Sequence, residues 1–215
     1  MNKKDVKIIP LGDLIISIKT GLNPRGTFLV NTKDATYDYI TTRELQCLSR
    51  VNRQSGGTMY ETDKIDDEAR KLIIEKTNLA KGDILFPAVT ANGKVPVYVD
   101  KDEIDFGVSE NVYVIKPKED IDGRYLVYAL RSEFVQKQMA KNSCNLLTKN
   151  MNKNAILQLM IPVPPIDGRQ RITKMLEKMD ETMNEMYSLM EMQIKQYQYY
   201  NNTLFNEIVK GEDEK

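Results

Sequence analysis

The C-terminal part of this chain carries a heptad repeat, and this repeat constrains the fold more than any other feature of the sequence. Over residues 172–207, nine of the eleven a and d positions are apolar or aromatic, and no glycine or proline interrupts the pattern. Such a repeat is typical of a coiled-coil seam. Residues 166–210 are therefore predicted to form one long helix of about 65 Å, at roughly 1.5 Å per residue.

A helix of this length cannot bury its apolar stripe along its whole length against one domain, so it needs another helix as a partner. The seam is rich in methionine, which is flexible and packs adaptably. It is predicted to form the core of a dimer, and it would also suit a surface that accepts helices of another protein. The predicted interface consists of Ile172, Leu176, Met179, Met183, Met186, Met190, Tyr197, Tyr200 and Leu204.

The segment before the helix has a mixed pattern that favours an α+β domain over residues 1–165. Short apolar runs at 84–86, 95–99 and 112–115 have strand length, and Asn92-Gly93 is a turn former between two of them. From Gly123 the apolar period changes to four, which predicts one amphipathic helix ending near Lys141. Together these runs predict a mixed or antiparallel sheet with flanking helices.

The ends of the long helix can also be predicted. Prolines at 162, 164 and 165 separate it from the domain, and Asp167 with Gln170 three residues later fits an N-cap and its reciprocal partner. Residues 211–215 follow Lys210 and are mostly acidic, so we expect them to form a disordered tail.

Several residues and motifs that enzymes use are missing from the sequence. It contains no histidine, no nucleotide-binding glycine loop, no serine nucleophile motif and only two distant cysteines. We therefore expect no catalysis, no metal and no cofactor of its own. No stretch approaches the roughly 20 apolar residues of a membrane span, and the chain does not begin with a signal peptide, so a cytoplasmic location is expected.

Charge is segregated along the chain although it cancels overall. Residues 1–60 carry nine Lys and Arg against five acids, and residues 136–156 carry four lysines and no acid, whereas residues 61–125 carry fifteen acids against ten bases. A neutral protein with such segregation can present a basic face to phosphate.

Five motifs follow one another along almost the whole chain: Leu11-Gly12-Asp13 with Lys19-Thr20-Gly21, residues 39–45, Leu79 to Leu85 with Gly82-Asp83-Ile84, residues 125–132, and residues 161–165 with Gln170 and Ile172. This ordered set resembles the specificity subunit of type I restriction-modification systems. Two positions depart from the family pattern: Arg169 stands where the family usually has an acid, and Ser143-Cys144-Asn145 replaces a small glycine-containing turn.

The resemblance implies a subunit that recognises DNA for other proteins. Family members typically carry two recognition domains and two antiparallel helices, whereas this sequence has one of each and no internal repeat. A second copy would rebuild the arrangement as a homodimer that reads a bipartite palindromic site in double-stranded DNA. Adenine-N6 methyltransferase subunits would supply S-adenosylmethionine chemistry, and a translocating nuclease subunit would join them for restriction.

Candidate DNA contacts follow from residue type and location in polar or basic segments. Arg pairs with guanine and Asn or Gln with adenine in the major groove, whereas Lys suits phosphate. Tyr37 and Tyr39 are expected either to stack on bases or to pack within the domain. The candidates are Lys19, Asn23, Arg25, Thr41, Arg43, Arg53, Gln54, Lys141, Asn142, Asn145, Lys149 and Lys153.

Two other interpretations stay open from the sequence. The chain could be the recognition fragment of a DNA-modifying enzyme, although it contains no Asn-Pro-Pro-aromatic motif and no cofactor loop. It could instead be a coiled-coil adaptor whose globular domain binds another protein rather than DNA.

Overall fold

The computed structural model describes residues 5–48, 62–90, 95–141 and 149–212 and divides the chain into two units, Met1–Thr173 and Lys174–Lys215. The strands are β1 Lys7–Pro10, β2 Ile15–Thr20, β3 Tyr37–Ile40, β4 Lys64–Ile65, β5 Ile84–Pro87, β6 Val89–Thr90, β7 Val97–Tyr98, β8 Phe106–Val108, β9 Val112–Pro117, β10 Lys149–Asn150 and β11 Met160–Val163. The helices are α1 Thr42–Leu48, α2 Asp67–Thr77, α3 Gly123–Arg131, α4 Glu133–Lys141, α5 Lys153–Leu157 and α6 Ile166–Glu212. The predicted α+β class with one long C-terminal helix is confirmed.

A four-stranded antiparallel sheet in the order β2-β9-β5-β7 forms the centre of the first unit. Ile84 and Phe86 of β5 face a core built with α3, α4 and α5, whereas Leu85 faces a second core built with α2 and the mixed sheet β4-β3-β8. Both faces of β5 are therefore buried, which explains why its sequence is continuously apolar rather than alternating.

The strands β1 and β11 pair at the point where the chain leaves the first unit. Ile9 lies opposite Ile161 in this antiparallel ladder, and Leu11 N–H donates to the Leu159 carbonyl at 2.8 Å. The Tyr125 hydroxyl donates to the Pro162 carbonyl at 2.5 Å. These bonds fix β11, so they also fix the position from which α6 begins.

The single helix predicted from Gly123 to Lys141 is two helices, and this prediction was wrong. Ser132 separates them with an extended backbone (φ −62°, ψ 149°). Its carbonyl accepts from Gln136 N–H at 2.9 Å, and its hydroxyl lies 3.5 Å from the Val135 nitrogen. Serine favours such N-cap positions because its hydroxyl can satisfy a free N–H of the first turn. The apolar period alone does not reveal this break.

The predicted N-cap at Asp167 is also corrected. Helix α6 already begins at Ile166, and Arg169 N–H donates to the Pro165 carbonyl at 3.0 Å, so Asp167 lies inside the first turn. A carboxylate there is still favourable because the N-terminus of a helix carries partial positive charge. The helix continues through Glu212, past the predicted end at Lys210, while residues 213–215 of the tail and the Asn92-Gly93 turn lie outside the described residues.

A buried ion pair holds the turn that precedes β5. Asp83 is 2% exposed, and Lys116 of β9 donates to its two carboxylate oxygens at 2.8 and 3.1 Å. Ala80 N–H donates to the same carboxylate at 2.9 Å. Burial raises the pKa of Asp83, and the two donors oppose this rise without cancelling it. The Asp83 carboxylate thus joins the turn to β9 through side-chain contacts.

We expect Asp83→Ala to lower the free energy of unfolding by about 3 kcal/mol, because it removes a buried carboxylate that Lys116 and the Ala80 N–H both bond, and it leaves the partly buried ammonium of Lys116 without its partner. Denaturant unfolding followed by circular dichroism measures this change. Asp102→Ala is the matched control, since Asp102 also pairs with a lysine, Lys81, but at an exposed position. Equal losses in the two variants would contradict the role given to the buried pair.

Candidate DNA interface

Two segments that carry candidate DNA contacts meet at the turn between β8 and β9, residues 109–111, and a third contacts Ala88 beside it. Leu22 forms a parallel bridge with Ser109, and the Ser109 N–H donates to the Ile40 carbonyl at 3.0 Å. On the other side, Ala88 N–H donates to the Asn111 carbonyl at 2.8 Å. The turn therefore joins the loop after β2, the start of α1 and the end of β5.

The loop after β2 approaches this turn so closely that it requires a glycine. A Cβ atom at Gly21 would lie 1.8 Å from the Val108 carbonyl oxygen. The Leu22 N–H donates to that same oxygen at 3.1 Å, and the Tyr39 hydroxyl donates to the Leu22 carbonyl at 2.6 Å. Lys76 of α2 donates to the Gly21 carbonyl at 2.7 Å. The base of the loop is thus held from two sides.

Asn23 shapes the loop and leaves Arg25 exposed. The Asn23 amide donates to Glu110 Oε1 at 2.8 Å, and its side-chain oxygen accepts from the Arg25 N–H at 2.8 Å. Both ends of the amide are therefore already engaged inside the protein. The guanidinium of Arg25 is exposed and forms no hydrogen bond or ion pair with any described residue. Of these two candidates, Arg25 is the one available to a ligand.

Thr41 and Arg43 open helix α1 as part of a capping box. The Arg43 N–H donates to the Thr41 hydroxyl oxygen at 3.2 Å, while Glu44 accepts from the Thr41 N–H at 2.9 Å and from the Thr41 hydroxyl. Arg43 Nε donates to Glu44 Oε1 at 3.0 Å. Burial alone would raise the pKa of Glu44, but the hydrogen bonds from Thr41 and Arg43 outweigh it and lower the pKa. Thr41 thus caps the helix, and the guanidinium of Arg43 is exposed but bonded to Glu44.

Both tyrosines near this surface are used within the domain. Tyr39 is buried, packs edge to face on Phe28 with ring centroids 5.7 Å apart, and has its pKa raised by burial. The guanidinium of Arg70 lies 4.5 Å from the centre of the Tyr37 ring. Tyr39 therefore packs within the domain, which is one of the two roles expected from the sequence. One face of the Tyr37 ring is already covered by the guanidinium of Arg70.

The basic segment after α4 lies beside Ala88, the residue whose N–H contacts the turn at 109–111. β10 pairs with β6, and the Met151 N–H donates to the Ala88 carbonyl at 3.1 Å. Lys153, two residues later, is exposed at the start of α5, and Lys19 is exposed on β2 opposite Val114. Lys19 and Lys153 add positive charge around the surface on which Arg25 and Arg43 lie.

Not every candidate is placed at this surface. Lys141 is exposed at the end of α4, which packs against β11, and it shares no described hydrogen bond with the 109–111 turn. Only the backbone of Lys149 is described, and Arg53, Gln54, Asn142 and Asn145 lie outside the described residues. Glu110 and Lys76, which hold the loop, were missed because no local sequence pattern marks a contact made across the fold.

The predicted interface residues of α6 fall into three groups. Ile172 packs against the core of the first unit, whereas Leu176 and Met183 are half-buried. The remaining positions are more than half exposed: Met179, Met186, Met190, Tyr197, Tyr200 and Leu204. Further apolar side chains off the predicted seam are also exposed, namely Leu189, Met192, Ile194, Tyr199 and Phe205. The second half of α6 is thus apolar on more than one side.

Within the described ranges, no helix has the length and apolar character that a membrane span requires. The same ranges contain no cluster of three or more His, Cys, Asp or Glu residues that could hold a metal ion.

Comparison with known proteins defines the class. The family model described as the type I restriction modification DNA specificity domain matches residues 3–196. The chain therefore belongs to this family, whose members are DNA-recognition rather than catalytic subunits.

One relative is the MjaX specificity subunit of a type I restriction enzyme from Methanocaldococcus jannaschii, 28% identical over 184 residues. That match covers 82% of this chain and 40% of the relative, so the chain spans about two-fifths of that protein's length.

Two solved structures share the fold. The S subunit of a type I system from M. genitalium aligns with a TM-score of 0.61 at 17% identity, covering 89% of this chain and 44% of that one. A chain from a structure of type I complex assembly aligns with a TM-score of 0.57 at 13% identity, covering 86% and 41%. The predicted resemblance is confirmed at the level of family and fold.

We expect Arg25→Gln to weaken binding to duplex DNA and to reduce the slope of log affinity against log salt by about one, because it removes one exposed positive charge from the candidate interface. Fluorescence anisotropy over a salt series measures both quantities. Lys101→Gln is the matched control, since it also removes one exposed charge, but from an acidic segment where Lys101 pairs with Asp105. Identical behaviour of the two variants would exclude Arg25 from the interface.

Proposed function

We propose that this chain is the sequence-reading subunit of a cytoplasmic type I restriction-modification complex. The observation that carries the proposal is the arrangement of three segments around the turn between β8 and β9: the Arg25 loop and the residues before α1 contact the turn, and the basic segment at 149–153 contacts Ala88 beside it. Arginines on a rigidly held loop suit base edges or phosphates, because little side-chain and backbone entropy remains to be lost on binding. The family membership supports DNA as the ligand.

We also propose that two copies pair through antiparallel α6 helices. Helix α6 exposes methionine and tyrosine side chains along its seam, and exposed apolar stripes of this length call for a partner helix. The chain spans about two-fifths of the relatives it matches, and a second copy would provide a second recognition domain and helix. Two identical domains related by a dyad would read an interrupted palindrome with a fixed gap.

Chemistry on the DNA would come from partner subunits. We propose adenine-N6 methyltransferase subunits that carry S-adenosylmethionine, joined by a translocating nuclease subunit for restriction. The exposed apolar side chains off the seam support such docking, because one antiparallel helix covers only one side of α6. They are Leu189, Met192, Ile194, Tyr199 and Phe205. Methionine-rich helix faces suit partners of varied shape.

The proposal is tested by co-expressing the chain with a methyltransferase subunit of a type I system and sequencing the methylated adenines of the host genome. We expect methylation at one interrupted palindrome, with a fixed gap. Affinity of the complex for that site should fall steeply with salt, as phosphate contacts require. Binding that is independent of salt and no methylation above that of the methyltransferase alone would favour the protein-binding adaptor instead.

We expect Met183→Lys combined with Met186→Lys to dissociate the dimer while the first unit stays folded, because two ammonium groups would have to be buried in an apolar seam. Light scattering gives the mass, and thermal unfolding reports the domain. The matched control is Ser188→Lys with Asn202→Lys, which adds the same charge at exposed positions on the opposite side of the heptad. A Met183/Met186 variant that remains dimeric would place the contact elsewhere.

A further inference from the structure

A cavity of about 600 Å³ lies where α6 begins, within the first unit. Its walls come from β1, the residues after Leu11, the loop before α3, the end of β11 and the first turn of α6. Apolar side chains line one part of it and charged side chains of both signs line the rest. The lining residues are Asp5, Lys7, Ile9, Asp13, Leu14, Lys118, Asp120, Ile121, Val163, Pro164, Pro165 and Arg169.

Arg169 is the unusual residue of this cavity. Its Nη1 donates to the Asp120 carbonyl at 2.9 Å, whereas its Nε is buried and has no hydrogen-bond partner among the described residues. A buried N–H without an acceptor is costly, and one on a charged group especially so. Exposed Lys7 and Lys118 lie in the same wall.

The length of α6 indicates what can reach this cavity. The helix runs over 47 residues, from Ile166 to Glu212. In an antiparallel pair, a positions of one helix meet d positions of the other. One such register places Leu176 opposite Tyr200, Met183 opposite Gln193 and Met186 opposite Met190, and it leaves Glu207 outside the paired layers. The same register brings residues 207–210 of one copy alongside residues 166–169 of the other, and residues 211–214 follow beyond the start of that helix.

The sequence of that terminal segment complements the cavity. Residues 207–215 contain four acids, Glu207, Glu212, Asp213 and Glu214, against two lysines, and the apolar pair Ile208-Val209 precedes them. The acids match Lys7, Lys118 and Arg169, and the two lysines match the three lining aspartates, Asp5, Asp13 and Asp120. The apolar pair matches the wall formed with Pro164 and Pro165. The first turn of α6 adds partial positive charge on the same side.

We propose that the cavity beside Arg169 is the docking site for the C-terminal segment of a second copy of this chain, residues 207–214. The inference rests on the antiparallel dimer of the proposed function and deepens it. Each copy would then insert its end at the base of the other copy's recognition domain. Such a contact at both ends fixes the register of the helix pair, and with it the distance between the two recognition domains.

The test is a charge exchange followed by measurement of the dimer dissociation constant by sedimentation equilibrium at low salt. We expect Arg169→Glu to raise this constant by about fivefold or more, as loss of a partly buried charge pair would. Glu212→Lys with Asp213→Lys and Glu214→Lys should do the same, and the combined variant should recover most of the loss. Arg171→Glu is the matched control, because Arg171 is exposed and does not line the cavity.

A second measurement does not depend on Arg169. With Cys47 and Cys144 replaced by serine, a copy carrying Lys118→Cys is mixed with a copy carrying Glu212→Cys. We expect a disulfide in the mixture and none in either variant alone, because equivalent positions lie at opposite ends of the helix pair. A chain shortened after Lys210 should also dimerise more weakly than the full chain.

The outcomes separate this inference from the dimer itself. The docking site alone is wrong if Met183→Lys with Met186→Lys breaks the dimer but the three docking tests fail. Those tests fail if the effects of the charge exchange are strictly additive, if the shortened chain dimerises normally and if no cross-link forms. If the unaltered chain is monomeric at all concentrations, both the dimer and the docking site are wrong.

Discussion

Backbone pairing of β5 with β9, buried on both faces, is the interaction on which the rest of the structure depends. Leu85 lies opposite Val114 and Phe86 opposite Tyr113, and side chains from these strands enter two separate cores. Because the pair is fixed from both sides, the turn that leads into β9 is fixed as well. That turn, residues 109–111, is the point at which two segments of the candidate DNA interface meet. Burial of apolar surface therefore positions polar loops that could not position themselves.

The candidate interface shows how hydrogen bonding sorts residues of the same chemical type. Asn23 and Thr41 have the side chains that read bases, but both have their polar atoms engaged in turns and caps. The Arg25 guanidinium forms no hydrogen bond with a described residue, whereas Arg43 Nε donates to Glu44 Oε1. The residues that hold the surface and those that face solvent are thus different members of one polar segment. Rigid support of this kind lowers the entropy that a ligand must remove on binding.

Helix α6 leaves many apolar side chains exposed, whereas the first unit buries its apolar side chains in two cores. Its seam and part of its other faces carry exposed methionine, tyrosine and leucine side chains. Such surfaces are stable in water when another helix covers them. The chain also spans about two-fifths of the relatives it matches, which carry the remainder in the same polypeptide. In the proposed function, a second copy of the chain provides a second recognition domain and a second helix.

The sequence alone determined the features that are periodic or ordered along the chain: the long helix, the α+β class, the apolar runs of β5 and β9, and the motif order that identified the family. It predicted neither the break at Ser132 nor the position of Asp167 inside the first turn of α6, because a hydroxyl cap and a proline carbonyl act on single residues and leave the apolar period unchanged. It also could not separate Arg25 from Asn23 as candidates. Only the tertiary structure decided that, because Glu110, 87 residues away in sequence, takes the Asn23 amide and leaves the Arg25 guanidinium exposed.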